Sequence, residues 1–297
     1  MIENHTLCTM FVETGGFQEL DEPVIVTSGM FLTPFFCNAE NLCGDPDIRN
    51  ILARYAGAPE KLHDYLKPLL QTNPSYAAVM EKICRLLRDY LKGSKNPAVS
   101  GGQRRDWIFS MPAADILGVP HITLFKADSE KEHTAKDLSG VDAVHVVDLI
   151  TKGSSIFSKN PVSGLDRGWV PSLKRRGADV SETVAVVSRC QGGEELMKEK
   201  GVRVTSLIHI NKEFLSRYSS APEENINYTK NPRTWTEKFL REKGIEFLFS
   251  YFEENEKKLP RVQVFIREYK EFLQEIKVLD KIESEYNKKI DGPFPWR

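Results

Sequence analysis

Between residues 97 and 210, short runs of β-branched and apolar residues alternate with helical or polar segments, the pattern of a parallel sheet covered on both faces. The runs fall at residues 97–100, 121–126, 143–149, 183–188 and 202–208. In the third, Val144-His145-Val146-Val147 is nearly continuous in apolar β-formers, which predicts a strand buried on both faces near the centre of the sheet. Helical spacing covers residues 108–117 and 194–200, and each segment is closed by a glycine, Gly118 or Gly201, just before the next strand. The expectation is an α/β domain whose central parallel sheet of about five strands is flanked by helices.

On either side the period changes to that of helices. Residues 50–91 read as two or three helices broken at Gly57-Ala58-Pro59 and Asn73-Pro74, with Val79, Ile83, Leu86, Leu87 and Tyr90 near helical spacing. Residues 235–252 and 262–290 are charged helical patterns carrying an apolar stripe of Phe265, Tyr269, Phe272 and Ile276, which predicts an appended helical arm.

Composition narrows the function classes. With 40% hydrophobic and 28% charged residues, the chain has the apolar content needed for a folded core. A net charge of −1 gives no global field for nucleic acid or an anionic membrane, so an anion site has to be built locally, which favours a small anionic ligand. The five cysteines form neither a CxxC pair nor a regular framework, so packed, reduced thiols are expected. Residues 1–15 have no basic start followed by an apolar core, and no apolar run reaches membrane length; the expected compartment is the cytoplasm.

Chemistry concentrates at residues 143–155. An apolar strand ends in Asp148 and runs into Leu149-Ile150-Thr151-Lys152-Gly153-Ser154-Ser155. A carboxylate at the carboxyl end of a central strand stands where open α/β sheets bind ligands, and its oxygens accept hydrogen bonds from adjacent sugar hydroxyls. If a helix follows the loop, its free N–H groups and the hydroxyls of Thr151, Ser154 and Ser155 converge on a phosphate. The alternative is a polar turn of a common kind. His145 reads as a hydrogen-bonded core histidine, since no second histidine or cysteine lies at metal spacing. Gly192-Gly193-Glu194-Glu195 reads as a helix start and Lys174-Arg175-Arg176 as a helix end.

The stretch 144–155 resembles the ribose phosphate motif of the type I phosphoribosyltransferases, and among them the orotate phosphoribosyltransferases, with Val147 where the first acid of the motif stands. Three further blocks follow the family's order. Thr27-Ser28-Gly29 with Thr33-Pro34-Phe35-Phe36-Cys37-Asn38-Ala39 is similar to the N-terminal segment that borders the base. Val99-Ser100-Gly101-Gly102-Gln103-Arg104-Arg105-Asp106 resembles the pyrophosphate loop, and Ser188-Arg189 falls where orotate enzymes place an arginine. Departures are Thr27 for lysine, Phe125 for arginine, Val147 for an acid and Asp106 for glycine, the last placing a carboxylate where pyrophosphate is expected.

The resemblance implies a domain over residues 1–210 with a small N-terminal hood and a helical insertion at about 45–95, followed by a helical extension over 211–297. It implies transfer of a phosphoribosyl group from phosphoribosyl pyrophosphate to orotate or a similar acidic base, with Mg2+ and a homodimer. The other reading is a noncatalytic sensor of a phosphoribosyl ligand. The implied ribose phosphate site is Asp148, Thr151, Lys152, Gly153, Ser154 and Ser155, and the pyrophosphate loop uses Gly102, Arg104 and Arg105. Phe35, Phe36 and Arg189 would meet the base. Lys126, Lys131 and His133, in a polar segment between the second and third strands, would meet the leaving group together with the Asp148 site. The insertion at residues 160–170, with Trp169, either shapes or covers the site.

Overall fold

The structure is a computed structural model and describes residues 4–26, 28–125, 137–159, 166–253 and 255–290. The chain divides into two compact units, Met1–Gln18 with Cys37–Phe214, and Glu19–Phe36 with Leu215–Arg297.

The first unit is built on a sheet of five strands, β1 (Pro97–Gly102), β2 (His121–Leu124), β3 (Asp142–Ile150), β4 (Asp179–Ser188) and β5 (Arg203–His209). All four pairings are parallel and the spatial order is β2-β1-β3-β4-β5. The sheet expected from the alternation of apolar runs is therefore present, with the most apolar run at its centre. Residues of β3 from Ala143 to Asp148 are all buried, as a strand covered on both faces requires.

Helices cover the sheet. Trp107–Leu117 follows β1, Trp169–Arg175 follows the excursion after β3, and Gly193–Glu199 links β4 to β5. The segment expected to hold two or three helices holds three, Ile48–Arg54, Pro59–Thr72 and Pro74–Tyr90. Pro59 and Pro74 each sit in the first turn of a helix, where the missing N–H costs nothing, and the Asn73 side chain caps the third by accepting from Tyr76 N. Tyr76, fully buried, donates its hydroxyl to the carbonyl of Ile108 and ties these helices to the one after β1.

Buried histidines in this unit make its stability depend on acid. His145 has no exposure, and its Nδ1 lies 3.0 Å from Ser100 Oγ on the neighbouring strand, so it is the hydrogen-bonded core histidine read from the sequence. Burial, with a smaller push from His121, lowers its pKa to about 3; burial, then His63, lowers that of His121 to about 3. Both stay neutral in the fold while the unfolded chain takes up protons near pH 6.5. Their contribution is thus complete above that pH and is lost as the pH falls toward 3. Each adds a slope approaching about 1.4 kcal/mol per pH unit. The substitution His145→Gln is expected to flatten the urea-unfolding free energy between pH 6 and pH 4 by about one such slope. An unchanged slope would show that this ring protonates within the fold.

The second unit joins the segment Glu19–Phe36 to the C-terminal helices. Its aromatic core sets Phe35 edge-on to Tyr228 at 5.4 Å, and Tyr228 edge-on to Trp235 at 5.3 Å. Leu32 N donates to Thr236 Oγ1, and Glu19 accepts from Ser219, Ser220 and Asn225. The stripe Phe265, Tyr269 and Phe272 is buried as expected, but residues 262–290 do not form one helix. The path breaks between Asn255–Glu268 and Lys270–Glu275, and again before Leu279–Lys289, where Lys277 takes φ +58°. No helix among the described residues is long and apolar enough to cross a membrane.

Candidate functional site

In the strand order β2-β1-β3-β4-β5 the chain steps outward from β1 to β2 on one side and from β3 through β4 to β5 on the other, so the topological switch point falls between β1 and β3. Open parallel sheets bind ligands in the crevice this leaves at the carboxyl edge. A cavity of about 440 Å3 lies there, lined from β1 by Gln103, Arg104, Arg105 and Asp106, and from β3 by Val147, Asp148, Leu149, Thr151, Ser155 and Ile156, with Ala56 and Trp169 completing it. The structure thus brings together the stretch around Asp148 and the loop after β1.

Asp106 holds the two strand ends together. It is buried; one carboxyl oxygen accepts from Gly102 N at 3.0 Å and the other from Asp148 N at 2.9 Å. Burial, reinforced by the adjacent Asp148 carboxylate, pushes its pKa well above the usual carboxylate range. The acid that the sequence places against pyrophosphate is instead turned inward onto the strand ends, where burial favours its protonated form.

Replacing it has a pH-dependent cost. Asp106→Asn leaves one of the two buried N–H groups without an acceptor, worth about 1–3 kcal/mol at about pH 2, below the ordinary aspartate range, where the acid is protonated folded and unfolded. As the pH rises the unfolded aspartate ionises and the folded one does not. The original protein then loses about 1.4 kcal/mol per unit that the asparagine variant keeps. The stability gap between the two, measured by denaturant unfolding, is expected to close and then reverse as the pH rises from about 2 through the ordinary aspartate range toward neutrality; a constant gap would mean that Asp106 ionises freely.

Asp148 lies at the end of β3, 8% exposed, and its Oδ2 makes no hydrogen bond. Arg105 Nε stands 3.3 Å away as an ion contact, and its Nη1 donates to Glu40 Oε2 at 3.5 Å. These carboxylates raise the pKa of the Arg105 guanidinium, Asp148 most. The loop is also held from behind: Gln103 Nε2 donates to Ala56 O at 2.7 Å and Arg104 Nη1 to Leu52 O at 3.4 Å. The helices at about 45–95 therefore position the loop after β1. The Gln103–Arg104 peptide is cis.

The loop after β3 is built on close backbone packing. Gly153 takes φ +74°, and Gly193 N donates to Thr151 O at 2.9 Å. No helix starts directly at the loop. One turn forms, with Phe157 N donating to Gly153 O at 2.7 Å. The chain then leaves on an excursion and returns at Gly168, where Trp169 N donates to Ser155 O at 3.1 Å and Val170 N to Ile156 O at 3.2 Å. The turn is thus continued in space by Trp169–Arg175. Thr151 is half-buried, Gly153 buried, and Lys152, Ser154 and Ser155 exposed. Trp169 lines the cavity and packs on Gly102, so closely that a Cβ there would lie 2.2 Å from the indole ring.

The remaining residues implied by the resemblance lie elsewhere. Arg189, in the first unit, is buried directly after β4, and its N–H donates to Ile150 O at 2.9 Å. Phe35 is buried in the core of the second unit and Phe36 is exposed. Lys126, Lys131 and His133 fall outside the described residues, as does Thr27. Glu40, Gln103 and Ala56 were not singled out by the sequence; Glu40 is followed by no motif, and only its burial beside two arginines marks it. The described cysteines are free thiols, three of them buried.

No protein-family model matches the chain. A curated orotate phosphoribosyltransferase from Methanopyrus kandleri is 28% identical over 106 residues, covering 33% of this chain and 52% of the relative. The chain resembles the type I phosphoribosyltransferases. It spans about half the length of that curated phosphoribosyltransferase. Among solved structures, it is similar to the orotate phosphoribosyltransferase from Aeropyrum pernix, with 17% identity, 71% of this chain and 98% of that one covered, and a TM-score of 0.44. For the UMP synthase of Leishmania donovani the values are 16%, 74% and 40%, with a TM-score of 0.46. An adenine phosphoribosyltransferase from Trypanosoma brucei gives 13%, 70% and 82%, with a TM-score of 0.43.

Proposed function

We propose that the cavity binds the phosphoribosyl group of phosphoribosyl pyrophosphate and that the protein transfers it to a nucleobase. The observation that carries this reading is the juxtaposition, at the switch point of the sheet, of the Asp148 carboxylate and the Thr151–Ser155 loop. In it the loop would take the 5-phosphate through backbone N–H groups and hydroxyls, and Asp148 would accept from the ribose hydroxyls. A carboxylate and a small-residue loop in the wall of one cavity suit one ligand with a phosphate at one end and vicinal hydroxyls at the other.

In the reaction the bond from ribose C1 to pyrophosphate oxygen breaks, pyrophosphate leaves with the electron pair, and a nitrogen lone pair of the base forms the new bond to C1. Positive charge builds on the ring between the two events, so positioning and electrostatics supply most of the rate. The negative Asp148 beneath the ribose favours that charge. Arg104 and Arg105, with Gly102, would face the departing pyrophosphate, and Lys126, Lys131 and His133 would join them. Arg189, buried directly after β4, fits a base bearing a carboxylate, hence orotate as the first choice.

Among the described residues no group of three or more histidine, cysteine or acidic side chains could hold a metal. Asp148 is a single carboxylate, with one oxygen lacking a hydrogen bond, which fits a magnesium ion that enters on the ligand's own oxygens. Bound there, magnesium would neutralise pyrophosphate charge. By analogy with the family the active form is a homodimer in the cytoplasm.

One observation favours the sensor reading instead: Arg105 is already engaged by Glu40 and Asp148, so a phosphoribosyl ligand could be held without pyrophosphate being released. The deciding experiment incubates the protein with magnesium, phosphoribosyl pyrophosphate and a panel of bases including orotate and adenine, and follows pyrophosphate. Release with one base supports transfer and names the base. Binding without release from any base supports the sensor.

A further inference from the structure

Glu40 lies on the 3-10 turn Ala39–Cys43 and is 3% exposed, an unusual place for a carboxylate. It accepts from Arg49 Nε at 3.3 Å and from Arg105 Nη1 at 3.5 Å. The other edge of the Arg105 guanidinium faces Asp148 Oδ2 at 3.3 Å. One arginine is thus suspended between two carboxylates that stand 108 positions apart in the chain, as 148 less 40.

The partners differ in freedom. The Glu40 and Asp148 side chains are 4% and 12% exposed, whereas those of Arg49 and Arg105 are 57% and 45% exposed. The carboxylates are fixed by their surroundings, and the guanidinium between them can move. Asp148 Oδ2 has under 1 Å2 of open surface, so a sugar hydroxyl reaches it only when Arg105 withdraws. Glu40 is held in place by Arg49 as well, so it remains a fixed anion on which Arg105 can stay while ribose hydroxyls replace it on Asp148.

We propose that Glu40 is a positioning residue, retaining Arg105 in the cavity when ribose hydroxyls take its place on Asp148 and so turning the guanidinium toward the anionic group of the ligand. This rests on the phosphoribosyl reading of the site. It also gives Arg105 two successive partners, one in the empty cavity and one in the filled cavity, with Glu40 common to both.

The test is a calorimetric titration of phosphoribosyl pyrophosphate with magnesium into four proteins: unmodified, Glu40→Gln, Arg105→Gln and the double variant. Glu40→Gln is expected to weaken binding about tenfold, the size of one charge-assisted contact. In the Arg105→Gln background the same change should add less than about twofold, because Glu40 acts through that arginine. Additive losses would show a general structural effect and overturn the proposal. In the ligand-free protein the Arg105 Nε–H proton–nitrogen signal should be protected from water exchange, and less so in Glu40→Gln; equal protection would also overturn it. Failure of the unmodified protein to bind the compound defeats the reading of the site, and the proposal with it, whereas binding with additive losses defeats the proposal alone.

Discussion

Asp148→Asn is expected to weaken the binding of phosphoribosyl pyrophosphate by about one to two orders of magnitude, the loss of two hydrogen bonds to a charged acceptor. The side chain keeps its shape, and the backbone N–H of residue 148 keeps its bond to Asp106. The fold should therefore survive, and the loss should appear in affinity rather than in the folded fraction. A second signature separates this from a loosened site. Asp148 is among the causes that push the Asp106 carboxyl upward, so removing its charge should bring that pKa down and shift the stability-against-pH curve of the variant. Unchanged affinity in a well-folded variant would remove Asp148 from the site.

Gly193→Ala should strike the same ligand from the other side. A Cβ at Gly193 would lie 2.5 Å from the carbonyl oxygen of Thr151 and 2.9 Å from Gly153 N, both backbone atoms that cannot rotate away. Either the helix Gly193–Glu199 or the loop after β3 has to move, at a cost of about 1–3 kcal/mol as in other overpacked sites. Because the loop is the more exposed of the two, the displacement should fall on it and abolish phosphate binding. Calorimetry with inorganic phosphate and with ribose 5-phosphate checks this, alongside the melting temperature. Binding as tight as in the unmodified protein would show that the phosphate does not depend on the loop's present path.

Much of the sheet is legible because its strands are short β-branched runs separated by glycine-ended helices. Val144 to Val147 carry enough apolar surface to mark the central position before any pairing is known. The ribose phosphate stretch is legible for a related reason: a carboxylate and a small-residue loop directly after such a strand are local in sequence.

What was not legible depends on distant pairing. The Glu40–Arg105 contact joins residues 65 positions apart, and nothing local distinguishes Glu40 from a surface acid. Asp106 looks repulsive in a linear reading; only the positions of Gly102 N and Asp148 N show that it faces inward. Trp169 belongs to an insertion, and its place in the cavity follows from the way Gly168, at φ +111°, turns the returning chain onto Ser155 and Ile156. The breaks at Tyr269 and Lys277 have no glycine or proline to announce them, so an amphipathic stripe over 262–290 does not show where the chain divides it among three helices. Likewise, the grouping of Glu19–Phe36 with the C-terminal helices rests on contacts such as Leu32 with Thr236, which no periodicity encodes.

The most direct test of the central claim is a crystal structure of the protein with ribose 5-phosphate. The phosphate is expected on the backbone N–H groups of Thr151–Ser155 and the ribose hydroxyls on Asp148, with Arg105 withdrawn from Oδ2. A phosphate bound away from this loop, or a sugar that leaves the Asp148–Arg105 contact in place, would contradict it.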